Sequence, residues 1–125
     1  MNNYVFITGS NGGIGQSLCK KFKDNSYIVI GCGLEKKSHD FVDLYYECNL
    51  SNINSQNELL EKIKHFNIKC IIHNAAVQIC KPIWEYTEND YDETFNCNVR
   101  FLFTLVKKLY RTLIESKSVI INISS

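Results

Sequence analysis

Thr8-Gly9-Ser10-Asn11-Gly12-Gly13-Ile14-Gly15 decides how this 125-residue chain is read. The stretch follows a short apolar run, Tyr4 to Thr8, that suits a buried strand. It leads into Ile14, Leu18 and Phe22, which recur at helical spacing and mark the face expected to turn inward. Strand, glycine turn and helix in that order make a phosphate loop. Glycine permits unusual dihedrals and lets a diphosphate approach the backbone. The bare amides and positive dipole of the helix start then hold the anion. A plain glycine turn would explain the residues too, but the flanking strand and helix favour a dinucleotide site.

Outward from this loop the pattern repeats. Strands are expected at Tyr27 to Ile30, Leu44 to Cys48, Lys69 to Ile72 and Val119 to Ile123. Helices are expected at Ser55 to His65 and from Thr87 to about Glu115, with at most a short one within residues 35–41. Thr87 and Asp90 form a capping-box-like pair. The inner stripe of the long helix reads as Tyr91, Phe95, Asn98, Leu102, Val106, Leu109 and Leu113. The strand runs are continuously apolar, as in a parallel sheet covered on both faces. The expected fold is therefore α/β, a Rossmann-like doubly wound parallel sheet of about five strands in the order 3-2-1-4-5, occupying residues 1–125 as one domain.

Ligands of such sheets bind outside the carboxyl ends of the strands, which directs attention to four further segments. Asn49, in Cys48-Asn49-Leu50-Ser51, could meet an adenine edge, although Asn49 or Ser51 would equally serve as the next helix cap. In His73-Asn74-Ala75-Ala76, small residues would let a flat ligand lie on the backbone, while Asn74 ties strand ends together. His73 reads as a satisfied packing residue rather than an acid–base group. Asn98 would be either hydrogen-bonded to neighbouring backbone or used to order water beside a reacting group. Ser124-Ser125 stand at the end of the fifth strand.

Taken together, T-G-x-x-x-G-I-G, N-L, N-A-A, N-V and N-I-S-S closely resemble the short-chain dehydrogenase/reductase family. Gly9, Gly12 and Gly15 also fit the T-G-x-x-G-x-x-G of its extended, sugar-epimerase-like branch. The stretches "NDYDETFNCNV" and "IINISS" favour the shorter one. The resemblance implies that Gly9, Gly13, Ile14 and Gly15 line a pyrophosphate and that Ser10 and Asn11 contact the adenosine side. It places Asn49, where the family usually has Asp, at the adenine edge, followed by Leu50. It aligns Asn74, Ala75 and Ala76 with the family's N-A-G, makes Asn98 the water-holding asparagine and makes Ser125 the serine that meets a substrate carbonyl.

The same resemblance implies an NAD- or NADP-dependent oxidoreductase acting on an alcohol/carbonyl pair. It matches only the N-terminal half or so of a full-length member, so the fold is expected to be truncated. The family's proton-donating Tyr, with Lys four residues on, would follow Ser125, and none of the seven tyrosines here has that lysine. Losing such an acid costs about 10²–10⁴-fold in rate, so the chain is expected to be inactive alone. The alternative is a non-catalytic dinucleotide-binding or partner-regulating module. Cofactor preference stays open: Gly33 falls where an acid would meet the ribose, Glu35 is close by, and Lys36 and Lys37 suit a 2′-phosphate.

Composition narrows the remaining classes. A formal charge of +1 argues against a nucleic-acid or membrane-surface partner. No apolar run approaches the roughly 20 residues of a membrane span, and the N-terminus lacks the pattern of a signal peptide. The six cysteines lack metal-ligand spacing and read as reduced core residues, which fits a cytoplasmic protein without metal. The β-branched run Val119 to Ile123 makes an edge inviting a second copy or a complementing polypeptide, and the long helix offers another such surface.

Overall fold

The structure, a computed structural model, describes residues 2–124. Its elements alternate as the apolar runs predict. Strands β1 (Tyr4–Thr8), β2 (Ile28–Gly33), β3 (Leu44–Glu47), β4 (Ile68–His73) and β5 (Val119–Asn122) form one sheet. Helices α1 (Gly13–Asp24), α2 (Ile53–Ile63), α3 (Glu88–Phe95) and α4 (Phe101–Glu115) connect them. The strand order is β3-β2-β1-β4-β5 and every pairing is parallel. The sheet is thus the expected Rossmann-like one.

Successive residues of β1 show why its run has no polar alternation. Val5 and Ile7 pack with Cys19 of α1 and with Val29, Cys70 and Ile72 on one face. Phe6 packs with Leu59, Leu60, Phe101 and Leu105 of α2 and α4 on the other. Both faces are covered, so both sets of side chains leave water.

Several local expectations are corrected. Ile14 is 61% exposed, and Gly15 and Cys19 are the buried residues of α1, because the smallest side chains allow the closest approach to the sheet. The cap of α2 is Asn52, whose Oδ1 accepts from Ser55 N at 2.9 Å, and neither Asn49 nor Ser51 fills that role. Residues 35–41 run from a bend at 35–36 to a turn at 40–41 and form no helix. The long helix opens with the expected Thr87–Asp90 capping box, but a π-helical turn at Asn96–Arg100 interrupts it. Its buried row is Cys97, Phe101, Leu105, Leu109 and Leu113, whereas Tyr91, Phe95 and Val106 are exposed.

Two buried side chains accompany the π turn. Gln56 Nε2 donates to the Asn96 carbonyl at 2.8 Å, and the ring of His73 meets the Cys97 carbonyl at 2.8 Å. Such turns often mark functional sites, and this one places Cys97 beside the cavity described next.

Candidate dinucleotide site

A cavity of about 340 Å³ opens at the carboxyl ends of the strands. Gly9 and Gly12 form one wall, Cys32 to Glu35 a second, Cys48 to Ser51 a third, and Asn74 to Val77 a fourth, with Cys97 behind. Each wall is the segment that leaves a strand, so the sheet converges four loops on one space.

Thr8 holds the centre. Its hydroxyl accepts from Asn74 N at 3.0 Å and Ala75 N at 2.9 Å, and it lies 2.9 Å from His73 Nδ1. The Cys97 carbonyl can only accept, so His73 Nε2 carries the proton and donates to it. Nδ1 of the neutral ring then accepts from Thr8. Burial depresses the His73 pKa below its ordinary 6.5, the main cause, while the bond to Cys97 acts in the opposite direction. His73 is therefore a neutral packing residue, as its sequence position suggested.

This titration has a consequence for stability. The unfolded chain takes up a proton on His73 near pH 6.5, and the folded chain does so only at lower pH. The contribution of the neutral ring is fully present above about 6.5 and is lost as pH falls below that value towards the folded pKa. Urea midpoints measured at about pH 7.5 and about pH 5 should drop on acidification, and His73→Asn should flatten that drop.

The wall at residues 74–77 is fastened twice more. Asn74 Nδ2 donates to the Gly9 carbonyl at 3.2 Å. Asn98 accepts from Val77 N at 2.8 Å and donates to Val77 O at 2.9 Å. The backbone partner foreseen for Asn98 is Val77.

At the glycine loop, Gly9 takes φ +62°, which favours glycine, and a Cβ there would stand 3.0 Å from Ala75 Cα. Gly15 presses the helix onto the loop. α1 starts without any side-chain cap and with no acid in its first turn. Its first bond runs from Gln16 N to Gly12 O, so the amides of Gly13, Ile14 and Gly15 have no acceptor within the helix. A Cβ on Gly13 would meet nothing within 4 Å. An uncapped, acid-free helix start beside a glycine-walled cavity fits the pyrophosphate of a dinucleotide.

The other residues singled out from sequence lie as follows. Gly9, Asn49, Leu50, Asn74, Ala75 and Ala76 line the cavity. Gly13 and Ile14 are exposed at the helix start, and Gly15 is buried beneath it. Ser10 is fully buried and turned towards the Cys32 carbonyl, at 3.4 Å, so its side chain ties the loop to β2 instead of facing the cavity. Asn11 directs its side chain to the 34–41 loop, donating to Lys37 O at 2.8 Å and accepting from Ser38 Oγ at 2.7 Å. Asn49 Oδ1 accepts from Ser51 N at 3.0 Å. Ser125 lies outside the described residues.

Sequence reading missed Thr8 as a hub, Tyr45 and the three thiols of the cavity. Burial is the main cause raising the pKa of Cys32, Cys48 and Cys97, the last to about 11, so the three present small, uncharged groups to the space between them. Cys48 and Cys97 add to the rise at Cys32, and Cys48 adds to that at Cys97. For Cys32 and Cys48 the signal available in sequence was their position at strand ends, whereas Cys97 lies in the π turn of the long helix.

Comparisons with known proteins agree with this geometry. The short chain dehydrogenase family model matches residues 3–125. A 3-oxoacyl-(acyl-carrier-protein) reductase of Buchnera aphidicola is 30% identical over an alignment 122 positions long that covers 90% of this chain and 50% of that one. The chain spans about half the length of the curated relatives it matches. Among solved structures, a short chain dehydrogenase from Leptospira borgpetersenii with bound NAD+ superposes with a TM-score of 0.82 at 22% identity, covering 100% of this chain and 52% of that one. A metagenomic short-chain oxidoreductase in complex with NADP gives a TM-score of 0.81 at 18% identity, covering 98% and 62%. Glycine loop, strand order and sequence match lead to one assignment: the chain belongs to the short chain dehydrogenase family.

Proposed function

We propose that residues 1–125 form an NAD(P)-binding unit serving an oxidoreductase that acts on an alcohol/carbonyl pair. The observation that carries this reading is the uncapped start of α1, whose amides stand beside a cavity walled by Gly9 and Gly12. When bound, the nicotinamide cofactor supplies or accepts the hydride. The chain's own residues bind and orient it: amides 13–15 receive the diphosphate, Asn49 and Leu50 flank the adenine, and residues 74–76 form the flat wall. Asn98 fixes that wall through Val77. By resemblance, Ser125 would meet the substrate carbonyl.

Among the described residues no helix is long and apolar enough to cross a membrane. Five buried, free cysteines suit a cytoplasmic setting. Val119, Ile120 and Ile121 of β5 are exposed, and with the outer face of α4 they offer a surface to a second copy or a complementing polypeptide. The second reading is a non-catalytic dinucleotide-binding or partner-regulating module.

Titration of the 125-residue protein with NADH and NADPH, followed by nucleotide fluorescence, tests the site. Saturable binding is expected. Gly13→Val should weaken it about tenfold or more while changing unfolding free energy by no more than about 1 kcal/mol, because the position is open. Absence of binding by the unaltered protein would overturn the proposal. Turnover on a panel of ketones then separates an oxidoreductase from a binding module.

A further inference from the structure

The cavity walls 48–51 and 74–77 leave strands β3 and β4, which β2 and β1 keep apart in the sheet. Both walls are nevertheless fastened to one short element, the π turn at Asn96–Arg100. On the first side, Gln56 Nε2 donates to the Leu50 carbonyl at 2.6 Å and to the Asn96 carbonyl at 2.8 Å. Asn96 Nδ2 donates to the Ser51 carbonyl at 3.1 Å, while its Oδ1 accepts from Arg100 Nε at 2.9 Å. Ser51 Oγ donates to the Glu93 carbonyl of α3 at 3.0 Å. On the second side, Asn98 holds both backbone groups of Val77.

Gln56 is fully buried in α2. Both partners of its Nε2 are carbonyls, which only accept, so the amide can face them in one orientation alone. Its Oε1 is buried without a partner among the described residues. An unpaired buried acceptor is costly, and an apolar side chain of similar length would fill the space without that cost. Packing therefore does not account for a glutamine here. The two donated bonds do, and they join the Leu50 backbone to the turn that carries Asn98.

We propose that Gln56 is a positioning residue which, through the π turn, sets the width of the slot between residues 48–51 and 74–77 for the adenosine end of a dinucleotide. The assignment rests on the dinucleotide reading above. Gln56 does not line the cavity, so its influence reaches a ligand only through Leu50 and the turn. A slot for a flat ring is sensitive to small displacements of either side, because close-packed walls transmit strain.

The experiment compares the unaltered protein with Gln56→Met, Asn98→Ala and the double variant by NADH titration, urea unfolding and amide NMR. Gln56→Met keeps the side-chain length and should weaken NADH about fivefold or more in a protein that still unfolds cooperatively. The Val77 amide, bonded to Asn98 Oδ1, should shift although it belongs to the other wall, whereas the exposed Gly13 amide should not. A role confined to the packing of α2 would leave Val77 where it is. In the double variant the loss of affinity should fall short of the product of the single losses by about threefold or more, since both changes widen one slot. Asn96→Ala removes the bond to Ser51 from a half-buried position and should weaken NADH in the same direction. It keeps the test decisive if Gln56→Met does not fold.

Unchanged NADH affinity in Gln56→Met, or in Asn96→Ala where the former does not fold, would overturn the assignment and leave the dinucleotide site standing. A weakened Gln56→Met with an unmoved Val77 amide and multiplicative losses would also overturn it, by confining Gln56 to Leu50. If the unaltered protein binds no NADH, the dinucleotide reading fails and this assignment fails with it.

Discussion

Gly15→Ala is expected to disrupt the glycine loop and abolish dinucleotide binding together, with a loss of about 2–4 kcal/mol of unfolding free energy. The added carbon would stand 2.1 Å from the Gly9 carbonyl oxygen and 2.9 Å from Ser10 Cα. Both neighbours are backbone, and the oxygen belongs to a residue already held by Asn74. No side-chain rotation relieves the contact, so α1 must move away from the sheet. That movement separates Cys19, Leu18 and Phe22 from Val5, Ile7 and Val29, which share their packing cluster. It also carries the amides of Gly13, Ile14 and Gly15 away from the cavity. Gly13→Ala supplies the contrast, because its added carbon meets nothing. Its stability should stay level or rise by up to about 1 kcal/mol as the unfolded chain loses freedom. Denaturant midpoints and NADH titrations of the two variants separate glycine needed for packing from glycine kept clear for a ligand. A Gly15→Ala protein as stable as the unaltered one would show that the helix does not need so close an approach.

The difference between these glycines marks where sequence reading stops. Strands and their order were legible because burial on both faces leaves a plain mark, an unbroken apolar run such as Tyr4 to Ile7 or Cys70 to Ile72. The helical stripes were less legible. α4 carries apolar residues on more than one face, with Phe103, Val106, Tyr110 and Ile114 exposed and Leu105 and Leu109 buried. Apolar character alone therefore could not pick the inner face, and the π turn at 96–100 moved the register besides. In α1, Ile14 looked like a core residue by size, yet the tightest contact belongs to Gly15. The motif at residues 8–15 located the cavity but did not divide roles within it. Ser10 and Asn11 face protein partners 22 and 26 residues away in sequence, Cys32 and Lys37, that no local pattern reveals. Thr8 was hidden for the same reason, since its partners come from residues 65 to 67 positions on.

Thr8→Val should therefore cost about 2–5 kcal/mol although it preserves volume and β-branching, because three polar groups lose their partner at once. Thr8 is fully buried at the end of the central strand. Without the hydroxyl, the amides of Asn74 and Ala75 have nothing to donate to there, and Nδ1 of a 1% exposed histidine loses its donor. Thr8→Ser restores the oxygen and should recover most of the loss, which isolates hydrogen bonding from packing. Combining Thr8→Val with His73→Asn in a double-mutant cycle should show coupling of about 0.5–3 kcal/mol, since the two side chains share a bond. Additive costs would mean that Thr8 acts through the amides alone. Dinucleotide affinity should fall with stability in Thr8→Val, because Asn74 and Ala75 are a wall of the cavity as well as its fastening. The oxygen that orients those amides thus connects the middle of the sheet to the surface on which the cofactor would lie.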